Sequence, residues 1–326
     1  MQPAKAEIRQ MGRDLYLITL CPPIAGFEKF IGAWVFTGEK KFVVDVGPSV
    51  TSGSLFKALQ TLGIDTLDYI FLTHIHLDHA GGIGEMARFF PATPIVCHKT
   101  GIPHLVDPAR LWQGTVKTLG DVGRAYGPVM PVAAERFVDA VMFESDFIRA
   151  LITPGHAAHH VSYLTAKNLF AGEAGGVCLE LPSGHTYLRP ATPPRLFLDT
   201  ALRSIDELLA YSPGVIHYGH YGSRDNAVKM LEMHKRQLLH WERVISNVMP
   251  HAGSESLEEV CLEKLLESDL LLKHFSSLDG AVQKRELGFL KNSIRGFLGY
   301  LQHDHRITAK NKSVISGVRA SGRQGV

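Results

Sequence analysis

Thr73-His74-Ile75-His76-Leu77-Asp78-His79-Ala80-Gly81-Gly82 is the stretch on which the reading of this chain turns. His74, His76, Asp78 and His79 offer three imidazoles and a carboxylate within six positions. Histidine and aspartate are seldom buried together without a partner, so packing does not explain such a density. The residues just before, Tyr69-Ile70-Phe71-Leu72-Thr73, read as a buried strand. The cluster therefore sits at the end of a rigid element, where a metal site is well held. Neutral imidazole with carboxylate suits zinc, with iron or manganese as alternatives.

Beyond this stretch, 326 residues with 45% hydrophobic content can bury a full core, and the length fits one large domain plus a smaller one. A net charge of +2 gives no reason to expect nucleic acid as a partner. Cys21, Cys97, Cys178 and Cys261 lack zinc-finger or redox spacing and read as scattered reduced thiols. The segment from Met1 to Glu7 carries no apolar leader core, and no stretch is long and apolar enough to span a bilayer. The expected location is cytoplasmic. The expected partners are a small-molecule substrate and a second copy of the chain in a homodimer, without a membrane.

The first part of the chain alternates strands and helices. Strands are expected at Leu15–Leu20, Ala33–Phe36, Phe42–Val46, Leu67–Thr73 and Pro94–Cys97, then at Phe147–Ile152, His160–Leu164, Leu169–Ala171 and Val215–Ile216. Helices are expected at Ser52–Leu62, ended by Gly63, over about seven residues including Met86 and Phe89, and at Leu198–Leu209. Residues 99–131 read as loops that wall the pocket, without a code for the substrate. From about 223 the composition turns helical. Val228, Leu231, Leu238, Trp241, Ile245 and Val248 form one stripe, and Leu287, Leu290, Ile294, Leu298 and Leu301 another. Between them Ser256-x-x-Glu259 reads as a capping box. The expected division is a catalytic domain over 1–222, a helical domain over 223–304, and a basic, mobile tail over 305–326.

His-x-His-x-Asp-His at 74–79 resembles the signature of the metallo-β-lactamase superfamily, and the match is complete. The resemblance extends over residues 14 to 222. It implies an α/β fold, a four-layer αββα sandwich with the metals at one edge, here with a C-terminal helical extension. That extension resembles the arrangement of hydroxyacylglutathione hydrolases (glyoxalase II), although their glutathione-binding residues do not match position by position.

Three later segments complete the ligand set that the resemblance implies. Thr153-Pro154-Gly155-His156 is similar to the family's Pro-Gly-His element, which makes His156 the third imidazole of a first site with His74 and His76. His160 is read as starting the next strand and packing. Gly172-Glu173 stands where the family has Gly-Asp. Glu173 is expected to ligate directly, with bridging, single ligation and action through a water all open. Gly219-His220 fits the family's last imidazole, in a second site with Asp78 and His79; His217 reads as packed. Asp45, in the family's strand-end Asp-x-Gly, is either an orienting partner of a ligating imidazole or an ordinary turn aspartate.

Two divalent cations, zinc first, lower the pKa of a shared water toward about 7. The expected function is therefore a dinuclear hydrolase in which the resulting hydroxide attacks a thioester, lactone or phosphodiester. Asp78 is the expected proton relay, and Tyr221 or Tyr218 the expected donor to an oxyanion. The rivals are a di-iron redox protein of the flavodiiron type, which carries Glu where this chain has His76, and a non-catalytic metal-binding scaffold.

Overall fold

The computed structural model describes residues 6–181, 184–193, 195–251 and 257–321, and within these the side chains of all but 251 and 304–321. The first seven strands are β1 (Ile8–Gln10), β2 (Leu15–Leu20), β3 (Ile31–Thr37), β4 (Lys41–Val44), β5 (Tyr69–Phe71), β6 (Ile95–Cys97) and β7 (Phe137–Asp139). They form one sheet in sequence order, antiparallel up to β4 and parallel from β4 to β7. Then follow β8 (Arg149–Ile152), β9 (Val161–Thr165), β10 (Asn168–Gly172), β11 (Val177–Glu180), β12 (Thr186–Arg189), β13 (Val215–Tyr218) and β14 (Ser223–Asp225). The second sheet has the order β14-β13-β10-β9-β8, and β11 and β12 make a separate antiparallel pair.

Apolar residues alternate between two cores along these strands, as period-2 geometry requires. Leu17, Trp34, Phe42, Val44, Phe71, Val96, Tyr163 and Phe170 fill the space between the sheets. Their neighbours Ile18, Val35, Val43, Ile70, Ile95 and Leu169 point outward, into a core shared with helices. Both faces of each sheet are thus buried, which explains the near-continuous apolar runs in the sequence. The helices are α1 (Ser52–Thr61), α2 (Leu77–Ala80), α3 (Ile83–Phe89), α4 (Ile102–Val106), α5 (Ala109–Leu119), α6 (Asp121–Tyr126), α7 (Leu198–Ala210), α8 (Ala227–Val248), α9 (Leu257–Ser268) and α10 (Gly280–Ser321). α1 packs on α3 and β2, while α7 and α8 pack together on the second sheet, giving the four-layer αββα order.

Three expectations change. Residues 99–131 are not loops but hold α4, α5 and α6; Pro103, Pro108, Gly114 and Gly120 interrupt the apolar pattern there and hide the helices. The second sheet runs past residue 222, because β14 pairs with β13. The C-terminal helices also extend the main core rather than building another: Ile18, Ile205, Trp241, Leu290 and Leu301 belong to one buried cluster. The tail expected from 305 begins inside α10, and its side chains, like the capping Ser256, lie outside the described residues. Among the described residues no helix is long and apolar enough to cross a membrane.

Candidate metal centre

Strand direction builds the site. β4 and β5 run parallel, as do β10 and β13, and β8 runs the same way through antiparallel β9. Their carboxyl ends meet at one edge of the sandwich, where ligands bind in open α/β sheets. β4 leads to Asp45, β5 to His74 and His76, β8 to His156, β10 to Glu173 and β13 to His220. The two sheets are tied together beside the site. The Tyr163 hydroxyl donates to Leu72 O at 2.9 Å, and the Val161 N–H donates to Thr73 O at 2.7 Å.

All seven expected ligands converge. Donor atoms of His74, His76, His156 and Glu173 lie within 4.8 Å of one another, and so do those of Asp78, His79 and His220. Glu173 stands between the groups. Its Oε2 is 2.7 Å from His156 Nε2, 3.3 Å from His74 Nε2 and 3.7 Å from His79 Nε2. Its Oε1 is 3.2 Å from His220 Nε2, which is 3.6 Å from Asp78 Oδ2. His76 Nδ1 and His156 Nε2 approach to 2.9 Å.

Most of these rings are oriented by the nitrogen that faces away. His79 Nδ1–H donates to Asp45 Oδ2 at 2.9 Å, and His156 Nδ1–H donates to Ala191 O at 2.6 Å. His74 Nδ1 lies 3.1 Å from Thr73 Oγ1, whose own hydrogen goes to Asp45 Oδ2 at 2.8 Å. Each ring thereby turns its Nε2 into the site, the atom through which it would hold a metal. His220 differs: its Nδ1 is buried without a hydrogen-bond partner among the described residues, and the ring is held by stacking on Phe30 at 4.2 Å. Asp45 is thus the orienting residue and not a plain turn aspartate. It is 2% exposed, has φ of 58°, and also accepts the Thr73 N–H at 2.8 Å.

Two glycines make room. A Cβ on Gly219 would stand 2.8 Å from His79 Cε1. Gly172 has φ of +54°, and a Cβ there would meet His160 Nε2 at 2.5 Å. That contact marks a residue whose role the sequence hid. His160 is fully buried, as expected, but its Nε2 accepts the Glu173 N–H at 3.1 Å, and its Nδ1 bonds Thr153 Oγ1 at 2.8 Å. Its place four residues after a ligand histidine, at the entry to a strand, is the signal that could have marked it.

The donor set fits metal ions. His74 Nε2 and His79 Nε2 are buried with no hydrogen-bond partner among the described residues. Burial, with help from neighbouring imidazoles, pushes His74 and His76 well below the usual histidine range, so both are neutral donors. Burial would lower His79 too, but the carboxylates of Asp45 and Asp78 prevail and raise it to about 9. Burial opposes ionisation of Glu173, yet His156 and His220 hold it well below the carboxylate range. Three carboxylates therefore call for positive charge at this spot.

Other expected residues lie elsewhere. The Tyr221 ring packs between the sheets, and its hydroxyl lies 3.3 Å from Thr19 Oγ1 and 3.5 Å from Arg9 Nη1. It does not line the cavity above the donors, so the structure does not support it as an oxyanion donor. Tyr218 is likewise buried in the core. His217 packs on Phe170 at 5.0 Å, as expected. His159 lines the cavity but belongs to neither donor group, and burial beside His156 lowers it to about 4.

A cavity of about 460 Å³ opens over the donors. One wall is α5, through Leu111, Thr115 and Leu119; the other is α10, through Phe289 and Ser293. The α5 wall falls in the segment 99–131 expected to wall the pocket, while the sequence of α10 gave no sign of lining a site.

A sandwich of two sheets with histidines and carboxylates gathered at one edge defines a class of metal-binding αββα proteins. Residues 31–220 match the model of the metallo-beta-lactamase superfamily, and the chain belongs to that superfamily. It is 30% identical over 233 residues to the metallo-beta-lactamase fold-containing protein ST1585 of Sulfurisphaera tokodaii, covering 68% of this chain and 84% of that one. A hydroxyacylglutathione hydrolase of Salmonella paratyphi A is 29% identical over 157 residues, 46% of this chain and half of that enzyme's length. Among solved structures, ST1585 superposes with a TM-score of 0.67 at 23% identity, covering 88% of this chain and 99% of its own. The metallo-beta-lactamase family protein TTHA1429 from Thermus thermophilus gives 0.62 at 20% identity, covering 91% and 95%.

Proposed function

We propose that this chain is a dinuclear metal-dependent hydrolase acting on an ester-like bond, a thioester, lactone or phosphodiester, of a small molecule. The position of Glu173 carries the reading. Its two oxygens divide between the donor groups, Oε2 with His156 and His74, Oε1 with His220. A carboxylate so placed offsets the repulsion between two dications. His74, His76, His156 and Glu173 would hold the first ion, and Asp78, His79 and His220 the second. Zinc suits this donor set best, with iron or manganese as alternatives. Such ions supply Lewis acidity and lower the pKa of water toward about 7.

The protein's own groups do the rest. Asp78 lines the cavity with its side chain 13% exposed, so it can accept a proton there and pass it to a departing group. No thiol competes as nucleophile. Burial raises Cys97 to about 12 and Cys178 and Cys261 to about 11, it raises Cys21 as well, and none of the four lines the cavity. Thioesters rank first among substrates, on the likeness to hydroxyacylglutathione hydrolases.

The test is elemental analysis of protein purified without chelator, followed by turnover of thioesters, lactones and phosphodiesters before and after chelation. The expected result is two metals per chain and hydrolysis that returns on metal addition. Reconstituted protein without bound metal, or with turnover indifferent to chelation, overturns it.

A further inference from the structure

Arg189, the last residue of β12, is only 2% exposed, yet it lines the cavity. Its Nε donates to Glu286 Oε2 at 2.5 Å and its Nη1 to Pro190 O at 3.2 Å. Among the described residues Nη2 has no partner. The guanidinium lies over the Phe289 ring, 4.7 Å from its centroid, and Phe289 lines the same cavity. On the far side of Glu286, Arg285 Nε and Nη2 each stand 2.9 Å from Oε1. One carboxylate is therefore shared by two buried guanidinium groups, and the cluster keeps an uncompensated positive charge. Such a charge is costly inside a protein unless a counter-charge reaches it.

The cavity is where that counter-charge can enter. Among the described residues its only lining carboxylates are Asp78 and Glu173, and both belong to the donor groups. Arg110, on α5, lines it too and is exposed with no ion partner among the described residues. Leu111, Leu119 and Pro193 make much of the remaining wall apolar. Positive charge, no free acid and apolar walls suit a small molecule with an apolar body and one acidic group.

We propose that Arg189 Nη2 anchors a carboxylate or phosphate carried by the substrate outside its reacting bond. The hydrolytic reading above supplies the reacting end only; the anion subsite is a separate claim about binding. Arginine suits it because its fork can grip Glu286 with one edge and an oxyanion with another. Arg110 would draw the anion toward the cavity over a longer range.

Calorimetric titration separates this claim from the hydrolytic one, because it needs no turnover. The probes are pentanoate, inorganic phosphate and neutral 1-pentanol, each with metal-loaded and with chelator-treated protein. At least one anion should bind both forms, about tenfold or more tighter than pentanol. Binding of pentanoate alone assigns a carboxylate, and binding of phosphate alone a phosphate. Arg189→Lys should weaken the anion about tenfold or more, since a single ammonium stays committed to Glu286. If that variant does not fold, the exposed Arg110→Ser should still slow association and reduce its salt dependence. Anion binding that vanishes on chelation and is unchanged by Arg189→Lys would place the anion on the metals and overturn the proposal. So would the absence of anion binding to both forms, or an Arg110→Ser variant that associates like the parent.

Discussion

The imidazole of His160 stands directly behind Glu173, accepting its backbone N–H at 3.1 Å. Because Nε2 accepts, Nδ1 carries the proton and donates to Thr153 Oγ1 at 2.8 Å; Thr153 Oγ1 in turn lies 2.9 Å from Ser162 Oγ, which donates to Ala171 O. A closed chain of hydrogen bonds thus fixes the segment from which Glu173 reaches both donor groups. His160→Ala is expected to lower metal affinity about tenfold or more. His160→Gln, which keeps an acceptor, should recover part of it. Competition with a chromophoric chelator measures both, and unchanged affinity in the alanine variant would assign His160 to packing alone.

Asp45 gives a prediction about pH. In metal-free protein its carboxylate, with that of Asp78, holds His79 at about 9 against burial. A raised histidine stabilises the fold fully below about 6.5 and loses that contribution as pH rises through about 9. The same proton competes with metal, so affinity at the Asp78–His79–His220 group should climb with pH until about 9. Asp45→Asn should bring the His79 titration down, as followed by NMR, and weaken metal binding about tenfold or more. A His79 titration that stays near 9 in the variant would contradict the assignment.

Phe30 is expected to act on one imidazole only. Among the described residues His220 has no Nδ1 partner; it relies on the Phe30 ring, which Arg285 covers on its other side at 3.9 Å from the centroid. Phe30→Leu should loosen His220 and lower occupancy of its group, leaving the His74–His76–His156 group loaded. Metal stoichiometry falling from two toward one is the readout; equal loss from both groups would mean a general packing defect.

Glu286 governs acid stability. Burial alone would raise its pKa, but Arg189 and Arg285 hold it below the ordinary carboxylate value of 4.5. A depressed carboxylate contributes stability that is whole above about 4.5 and is lost as pH falls through its folded value. Glu286→Gln leaves two buried guanidinium groups without a counter-charge, which costs about 3–5 kcal/mol. Urea unfolding at pH 7 should show that loss, and the gap to the parent should narrow on acidification. A constant gap from pH 7 to pH 3 would put the stability elsewhere.

The sequence disclosed what repeats or what is chemically dense. Strands from Leu15 to Cys97 were legible because burial on both faces makes long apolar runs. The 74–79 cluster was legible because no packing rule accounts for it. Asp45 stayed ambiguous because a turn aspartate and an imidazole-orienting one look alike until His79 is seen beside it. Tyr221 misled: a tyrosine after Gly219-His220 reads as facing the site, but its φ of +65° turns the ring between the sheets. Arg189 was silent because its partner Glu286 lies 97 residues away. A lone arginine at a strand end carries no pattern.

The placement of α10 bears on when the site becomes complete. By Asp225 a growing chain has already emitted every proposed ligand and both sheets. It still lacks Phe289 and Ser293 on the cavity wall, and Glu286 to balance Arg189. A nascent protein at that stage holds its donor atoms and the α5 wall but not the wall opposite. α10, made after the ligands and both sheets, is what turns an edge of donor atoms into a chamber.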